Sequence, residues 1–283
     1  MMRRPLDFSH IYVATRFFER DRAKVPARLA KLEAFVDAML ALGVGGIGIA
    51  VNVDVDCSEA IDHLNSRCDE KVNIFAVTPW GMFMPALEAL LKQASVAGFS
   101  KLLCVSVEVE IDTLALTALD NEVSEATLVA GLRMQGHQFK LGENTCNGEH
   151  SPWNTAALWR IRNGLDRIGF ASSGEAHADP TGENAGVEEV STIAIYQKLY
   201  ADCSAVLIHT DEVAWDTDRS SRPDGLGKKL RTKNPRAAWQ LEHAGLEPGR
   251  VHHKELRAGG EYASADSVIK RPEHMLAKAK DRG

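Results

Sequence analysis

The chain has no apolar run long enough to cross a bilayer. Its longest, Gly43–Val51, is far shorter than the roughly 20 residues that a membrane helix needs. Arg3 and Arg4 are not followed by the apolar segment of a signal peptide, so neither an integral membrane segment nor export is expected. Cysteine is sparse: Cys57, Cys68, Cys104, Cys146 and Cys203 are odd in number, scattered and without a CxxC pair. That excludes a disulfide framework and suits the reduced thiols of a cytoplasmic protein. Positive charge is also short, with 33 Lys and Arg against 39 Asp and Glu and a net charge of −6. No dense basic run appears beyond short clusters such as Lys228, Lys229, Arg231 and Lys233, so nucleic acid is not expected as the main partner. No GxGxxG opens the first helix and no GxxxxGK[ST] occurs, so dinucleotide and P-loop chemistry lose their main support. Internal repeats and low-complexity tracts are lacking too.

A 45% hydrophobic content over 283 residues is enough for one large core. Ile11–Ala14 reads as a short strand. Leu29, Leu32, Phe35, Val36, Met39 and Leu40 then mark one face of a helix from about Val25 to Leu42, stopped by Gly43. Gly46–Val53 is apolar without alternation, as in a parallel strand covered on both faces. A third strand (Val72–Val77), a helix (Pro85–Gly98) and a fourth strand (Lys101–Val107) follow. Helical patterning is read at Leu114–Leu119, Glu125–Gln135, Val187–Tyr200 and Arg236–Ala244. Ala205–His209 reads as a late strand, and Ser264–Gly283 as a basic terminal helix. The alternation predicts an α/β fold, a mostly parallel mixed sheet with helices on both faces. The division expected is an α/β domain over 1–212, with halves 1–110 and 111–212, then a polar connection and helical extension over 213–283.

Ligands of open parallel sheets lie at the carboxyl ends of the strands, and those ends are polar here: Thr15 and Arg16, then Asn52, Asp54 and Asp56, then Thr78 and Trp80, then Ser106, Glu108 and Glu110. The most informative stretch is Asn147–Phe170, in which Glu149, His150, Ser151, Trp153 and Asn154 precede Leu158, Ile161, Leu165 and Ile168 at helical spacing. It predicts a helix capped by Ser151 or Asn154, its N-terminus turned to an anionic or polyhydroxylated ligand. Trp153 is the candidate for stacking on a sugar and Trp159 a core anchor.

The opening Val13–Phe17 (VATRF), the acids after later strands and the mid-chain polar loop together resemble the nucleotide-diphospho-sugar transferases of GT-A type, over residues 8–212. The resemblance implies a glycosyltransferase that moves a sugar from a nucleotide-sugar donor to an unidentified acceptor. Thr15 and Arg16 would lie near the nucleotide, Asn52 and Asp54 near its base or ribose, and His150, Trp153 and Asn154 near the substrate. Glu108 and Glu110 would stand in the place of the family's aspartate metal motif, holding Mg²⁺ or Mn²⁺, with His209 beside Asp211 completing the site. Glu149, Glu188 and Glu189 are the candidate general bases. Each has an ordinary counterpart: a solvated strand edge for Glu108 and Glu110, a dipole-favoured helix start for Glu188 and Glu189, a structural strand-end imidazole for His209. A nucleotidyltransferase of similar fold and a noncatalytic nucleotide- or sugar-binding relative stay open beside the glycosyltransferase. Enzyme status and homo-oligomerisation are open as well.

Overall fold

The computed structural model describes residues 6–19, 21–53, 58–66, 69–80, 84–171, 187–210, 213–215, 231–257 and 260–263. Asp54, Asp56, Asp211, Arg20 and the terminal helix expected over 264–283 lie outside them.

The first half alternates strand and helix: β1 (Phe8–Phe17), α1 (Val25–Ala41), β2 (Val44–Asn52), α2 (Ser58–Ser66), β3 (Val72–Val77), α3 (Met84–Val96), β4 (Lys101–Val105), the short β5 (Val109–Glu110) and α4 (Thr113–Glu122). The second half runs β6 (Thr127–Leu132), β7 (Gly142–Thr145), β8 (Ala156–Arg160), one helical turn α5 (Asp166–Ile168), α6 (Glu188–Leu199), β9 (Ser204–His209), β10 (Ala214–Trp215), α7 (Lys233–His243) and β11 (Arg250–Glu255). Nine of these strands form one sheet in the order β3-β2-β1-β4-β8-β6-β9-β11-β7. Within it β8 runs antiparallel to both β4 and β6, and β7 antiparallel to β11; the other recorded pairings are parallel.

Two cores sandwich this sheet. On one face α1 contributes Leu32, Phe35 and Met39 and α4 contributes Ala115, Leu116 and Leu119. On the other, Leu87, Leu90 and Leu91 of α3, Val190 and Ile193 of α6, and Ala237 and Leu241 of α7 are buried. The expected α/β architecture with helices on both faces is therefore present. Gly43 closes α1 at φ +80 as expected; Pro26 sits in the first turn of that helix, and Asp112 caps α4 through the Ala115 amide at 2.7 Å. The glycines of β2 have a second role beyond the turn. A Cβ at Gly48 would stand 2.6 Å from the Tyr12 hydroxyl and 2.7 Å from Leu90, so the strand is bare where Tyr12 and α3 press on it.

Two helix expectations are corrected. Glu125–Gln135 contains β6, all six residues of which are buried. Ala156–Arg160 is β8, which lies between β4 and β6 in place of the helix expected behind the Asn147 loop. Leu158 and Ile161 are spaced as in a helix because a strand covered on both faces is apolar throughout, and periodicity cannot then separate the two. Beyond β8, Arg162, Asn163 (φ 51) and Gly164 leave helical geometry, so only the single turn of α5 forms. Ser151 and Asn154 accordingly cap no helix.

Replacing Gly48 with Ala is expected to cost about 1–3 kcal/mol by overpacking. In urea unfolding this appears as a lower midpoint with an unchanged m-value; an unchanged midpoint would show that Tyr12 and Leu90 yield freely.

Candidate functional site

The carboxyl ends of β1, β4, β6 and β9 share one edge of the sheet with the amino end of antiparallel β8, and α6, running back from that edge to β9, begins there. Asn154, just before β8, and Glu188 and Glu189, opening α6, meet at this edge. The Asn154 amide N–H donates to Glu189 Oε1 at 2.8 Å, and its side-chain Nδ2 donates to Glu188 Oε1 at 2.7 Å. Asn154 Oδ1 accepts from the indole Nε1 of Trp159 at 2.7 Å, which fixes the amide's orientation. Both glutamates are buried, 3% and 4% exposed, an unusual state for carboxylates. Glu188 Oε2 accepts from the Val187 amide at 3.1 Å, while Glu189 Oε2 is buried with no hydrogen-bond partner among the described residues.

Burial, and then the neighbouring Glu188 charge, push the Glu189 carboxyl above its ordinary range, against the pull of Lys233 and the Asn154 amide. The first turn of α6 adds a favourable dipole for negative charge. Val187 itself sits at φ 136, a conformation that costs a β-branched residue on the order of 1–3 kcal/mol and that the contacts on Glu188 help to hold. Buried like charges, an unsatisfied carboxylate oxygen and a strained backbone coincide on adjacent residues.

The other strand-end residues lie along the same edge: alternation puts Arg16 on the α6 face with Tyr12 and Ala14, and Thr15 on the α1 and α4 face with Val13 and Phe17. Cys104 of β4 lies within electrostatic range of half-buried Arg16 and of Glu188 and Glu189. Thr15 is 2% exposed, its hydroxyl lacking a partner among the described residues, and Asn52 ends β2 buried. Trp153 is enclosed: it is 2% exposed, its Nε1 donates to the Gly148 carbonyl at 2.8 Å, the His137 ring stacks on it at 3.7 Å, and the Lys233 ammonium lies 3.7 Å from its ring. The indole is thus already stacked. His137 receives the Met134 amide at Nδ1 and meets the Ser151 carbonyl at Nε2, the pattern of a neutral Nε2–H tautomer; burial, then Lys233, press its pKa down to about 3. His150 meets His253 edge-on at 5.3 Å, and the Glu149 amide is held by Asn147 and Asn234.

Glu108, Glu110 and His209 are not brought together. Glu108 accepts from Arg28 Nη1 at 2.7 Å and from the Ser106 hydroxyl. Glu110 lies exposed in β5, paired with β10, and the His209 ring packs 5.4 Å from Phe139 at the end of β9. Among the described residues no group of three or more His, Cys, Asp or Glu is placed to hold a metal ion. Glu108, Glu110 and His209 form no common cluster, Asp211 beside His209 lies outside the described residues, and no step is assigned to Mg²⁺ or Mn²⁺. The sequence reading did not single out His137 or the role of Lys233; proximity to Trp153 is the only feature that marks them, and it is three-dimensional. Cavities of about 220 and 620 Å³ lie at the opposite edge, near the start of β9, where the Arg160 charge is met by Glu125 at 3.0 Å.

No family model and no curated protein sequence matches the chain. Among solved structures it is similar to a provisionally assigned nucleotide-diphospho-sugar transferase from Desulfovibrio desulfuricans, at 12% identity and a TM-score of 0.41, over 83% of this chain and 96% of that one. It is similar to a 4-diphosphocytidyl-2C-methyl-D-erythritol synthase from Anaerococcus prevotii, at 8% identity and 0.36, over 94% and 98%. A mannose-1-phosphate geranyltransferase from Thermus thermophilus gives 12% identity and 0.39, over 90% and 75%.

The sign of the Glu189 effect on stability follows from its raised proton affinity. Above the ordinary carboxyl range the folded chain retains a proton that the unfolded chain releases, so stability falls as pH rises through that window. Glu189→Gln keeps an oxygen for the Asn154 amide and removes the buried charge. It is expected to stabilise the fold by on the order of 1 kcal/mol at pH 8, or ~2–4 °C in Tm, with the gain shrinking toward pH 4. A loss of stability equal at both pH values would contradict the buried-charge account.

Proposed function

We propose that the chain is a transferase that moves a sugar from a nucleotide-diphospho-sugar donor to an acceptor hydroxyl at the carboxyl edge of its sheet. The observation that carries this reading is the Glu188–Glu189 pair, buried and gripped by Asn154, with an open acceptor position at Glu189 Oε2. Transfer of a glycosyl group needs a base for the attacking hydroxyl and positive charge for the departing diphosphate. Glu189 suits the first role, because a carboxyl with raised proton affinity is better matched to a hydroxyl near neutral pH than an ordinary one. Glu188 holds that affinity up by its charge, and Asn154 fixes both groups in one geometry. Arg16, at the end of β1, would supply positive charge toward the diphosphate. Thr15 and Asn52, at neighbouring strand ends, suit the polar parts of the nucleotide.

Nucleotidyl transfer would ask for an open basic grip on a triphosphate after β1. There Lys24 is 3.8 Å from Asp21, and Arg28 is engaged by both Glu19 and Glu108. These pairs favour the glycosyl reading. The test is release of the nucleoside diphosphate from UDP-, GDP-, CDP- and ADP-sugars, followed in the wild type, Glu189→Gln and Glu188→Gln. With the donor that is turned over, Glu189→Gln is expected to lower kcat by about 10²–10⁴-fold while leaving donor binding intact. Turnover retained by a folded Glu189→Gln protein would remove Glu189 from the reaction.

A further inference from the structure

Arg133 follows the last residue of β6 at the same edge of the sheet. Ala130 and Leu132 belong to the core under α1 and α4 and Val129 to the core under α6 and α7, so by alternation Arg133 falls on the α6 and α7 side. His209 falls on that side for the same reason, since Val206 and Ile208 face one core and Ala205 and Leu207 the other. The two strands are parallel and pair Leu132 with Ile208, and the Arg133 amide donates to the Ile208 carbonyl at 2.7 Å. Arg133 and His209 are therefore neighbours across the ladder, one strand spacing of about 4.8 Å apart.

Both rest on one aromatic ring. The Arg133 guanidinium carbon lies 5.3 Å from the Phe139 centroid, and His209 lies 5.4 Å from the same ring. His253 stacks on Phe139 at 5.1 Å and is buried; burial first, and Arg133 among the nearby cations, lower its pKa to about 4, so it stays neutral. Half-buried Arg133 has no carboxylate within ion-pair distance among the described residues. The carboxylate of this row, Glu255, is in register with His209 one strand further away. A partly desolvated guanidinium, oriented by an aromatic ring and without a carboxylate partner among the described residues, favours an oxyanion that can take its fork in bidentate fashion.

We propose that Arg133, with His209 at its side and Phe139 against it, is an oxyanion-binding subsite that recognises a carboxylate or phosphate group on the acceptor. The assignment to the acceptor rests on the transferase reading above; the anion binding is measured without nucleotide sugar, so either can fail alone. The full chain is titrated calorimetrically at low salt with glycerol 3-phosphate, D-lactate and, as neutral control, glycerol. One anion or both is expected to bind and glycerol not, the stronger anion naming the group recognised. Arg133→Ala is expected to weaken that binding about tenfold or more. Arg133→Lys keeps the charge but loses the fork, and is expected to bind several-fold more weakly with an unchanged far-UV circular dichroism spectrum, which separates loss of recognition from loss of fold. Failure of both anions to bind, equal affinity in the two variants and the wild type, or displacement of the anion by UDP would overturn the proposal.

Discussion

Asn154 ties two buried carboxylates to the amino end of a strand, and the arrangement of the site depends on that tie. Its backbone N–H and its side-chain amide serve different glutamates, and its carbonyl oxygen is locked by the indole of Trp159, further along the chain on β8. Such a clamp requires β8 to run antiparallel between β4 and β6, because only then does a residue preceding a strand meet residues opening a helix at the carboxyl edge of the parallel strands. The one reversed strand inside the sheet is thus what brings the mid-chain loop to α6.

Electrostatics follow from the same placement. The chain is acidic overall, yet the cations Arg16, Arg133 and Lys233 are held near the edge where Glu188 and Glu189 are buried. Lys233 links the carboxyl-terminal part of the chain to this edge: it opens α7, lies over Trp153 and opposes the raised proton affinity of Glu189. Across the indole, His137 stays neutral because its two ring nitrogens are both satisfied by backbone groups in a dry environment. Buried polar groups of this kind are costly unless they are paired, and among the described residues some are not. Glu189 Oε2 and the Thr15 hydroxyl are among those left open.

Much of the framework was legible in the sequence. The first four strands and the helices α1 and α3 follow from hydrophobic period and from Gly43, all local signals, whereas α2, between β2 and β3, is not among the helices expected. The second half was harder because β6 and β8 are apolar on both faces, and their Leu and Ala content fits a helix as well as a strand. That ambiguity turned the Asn147 segment into an expected helix start, although its residues do sit at the edge. Polar identity pointed to Asn154, Glu188 and Glu189, but it could not show that they touch, since the contact spans more than thirty residues of chain. Alternation likewise suggested Glu108 and Glu110 as a pair, whereas Arg28, distant in sequence, claims Glu108. A lone indole in a polar loop gives no hint of the His137 and Lys233 that enclose Trp153.

Donor binding tests the central claim most directly. A thermal-shift panel of UDP-, GDP-, CDP- and ADP-sugars, each with and without Mn²⁺, reads ligand binding to the folded state as a rise in Tm. The account predicts a shift confined to one nucleotide family. No shift with any donor, with or without the ion, would contradict it.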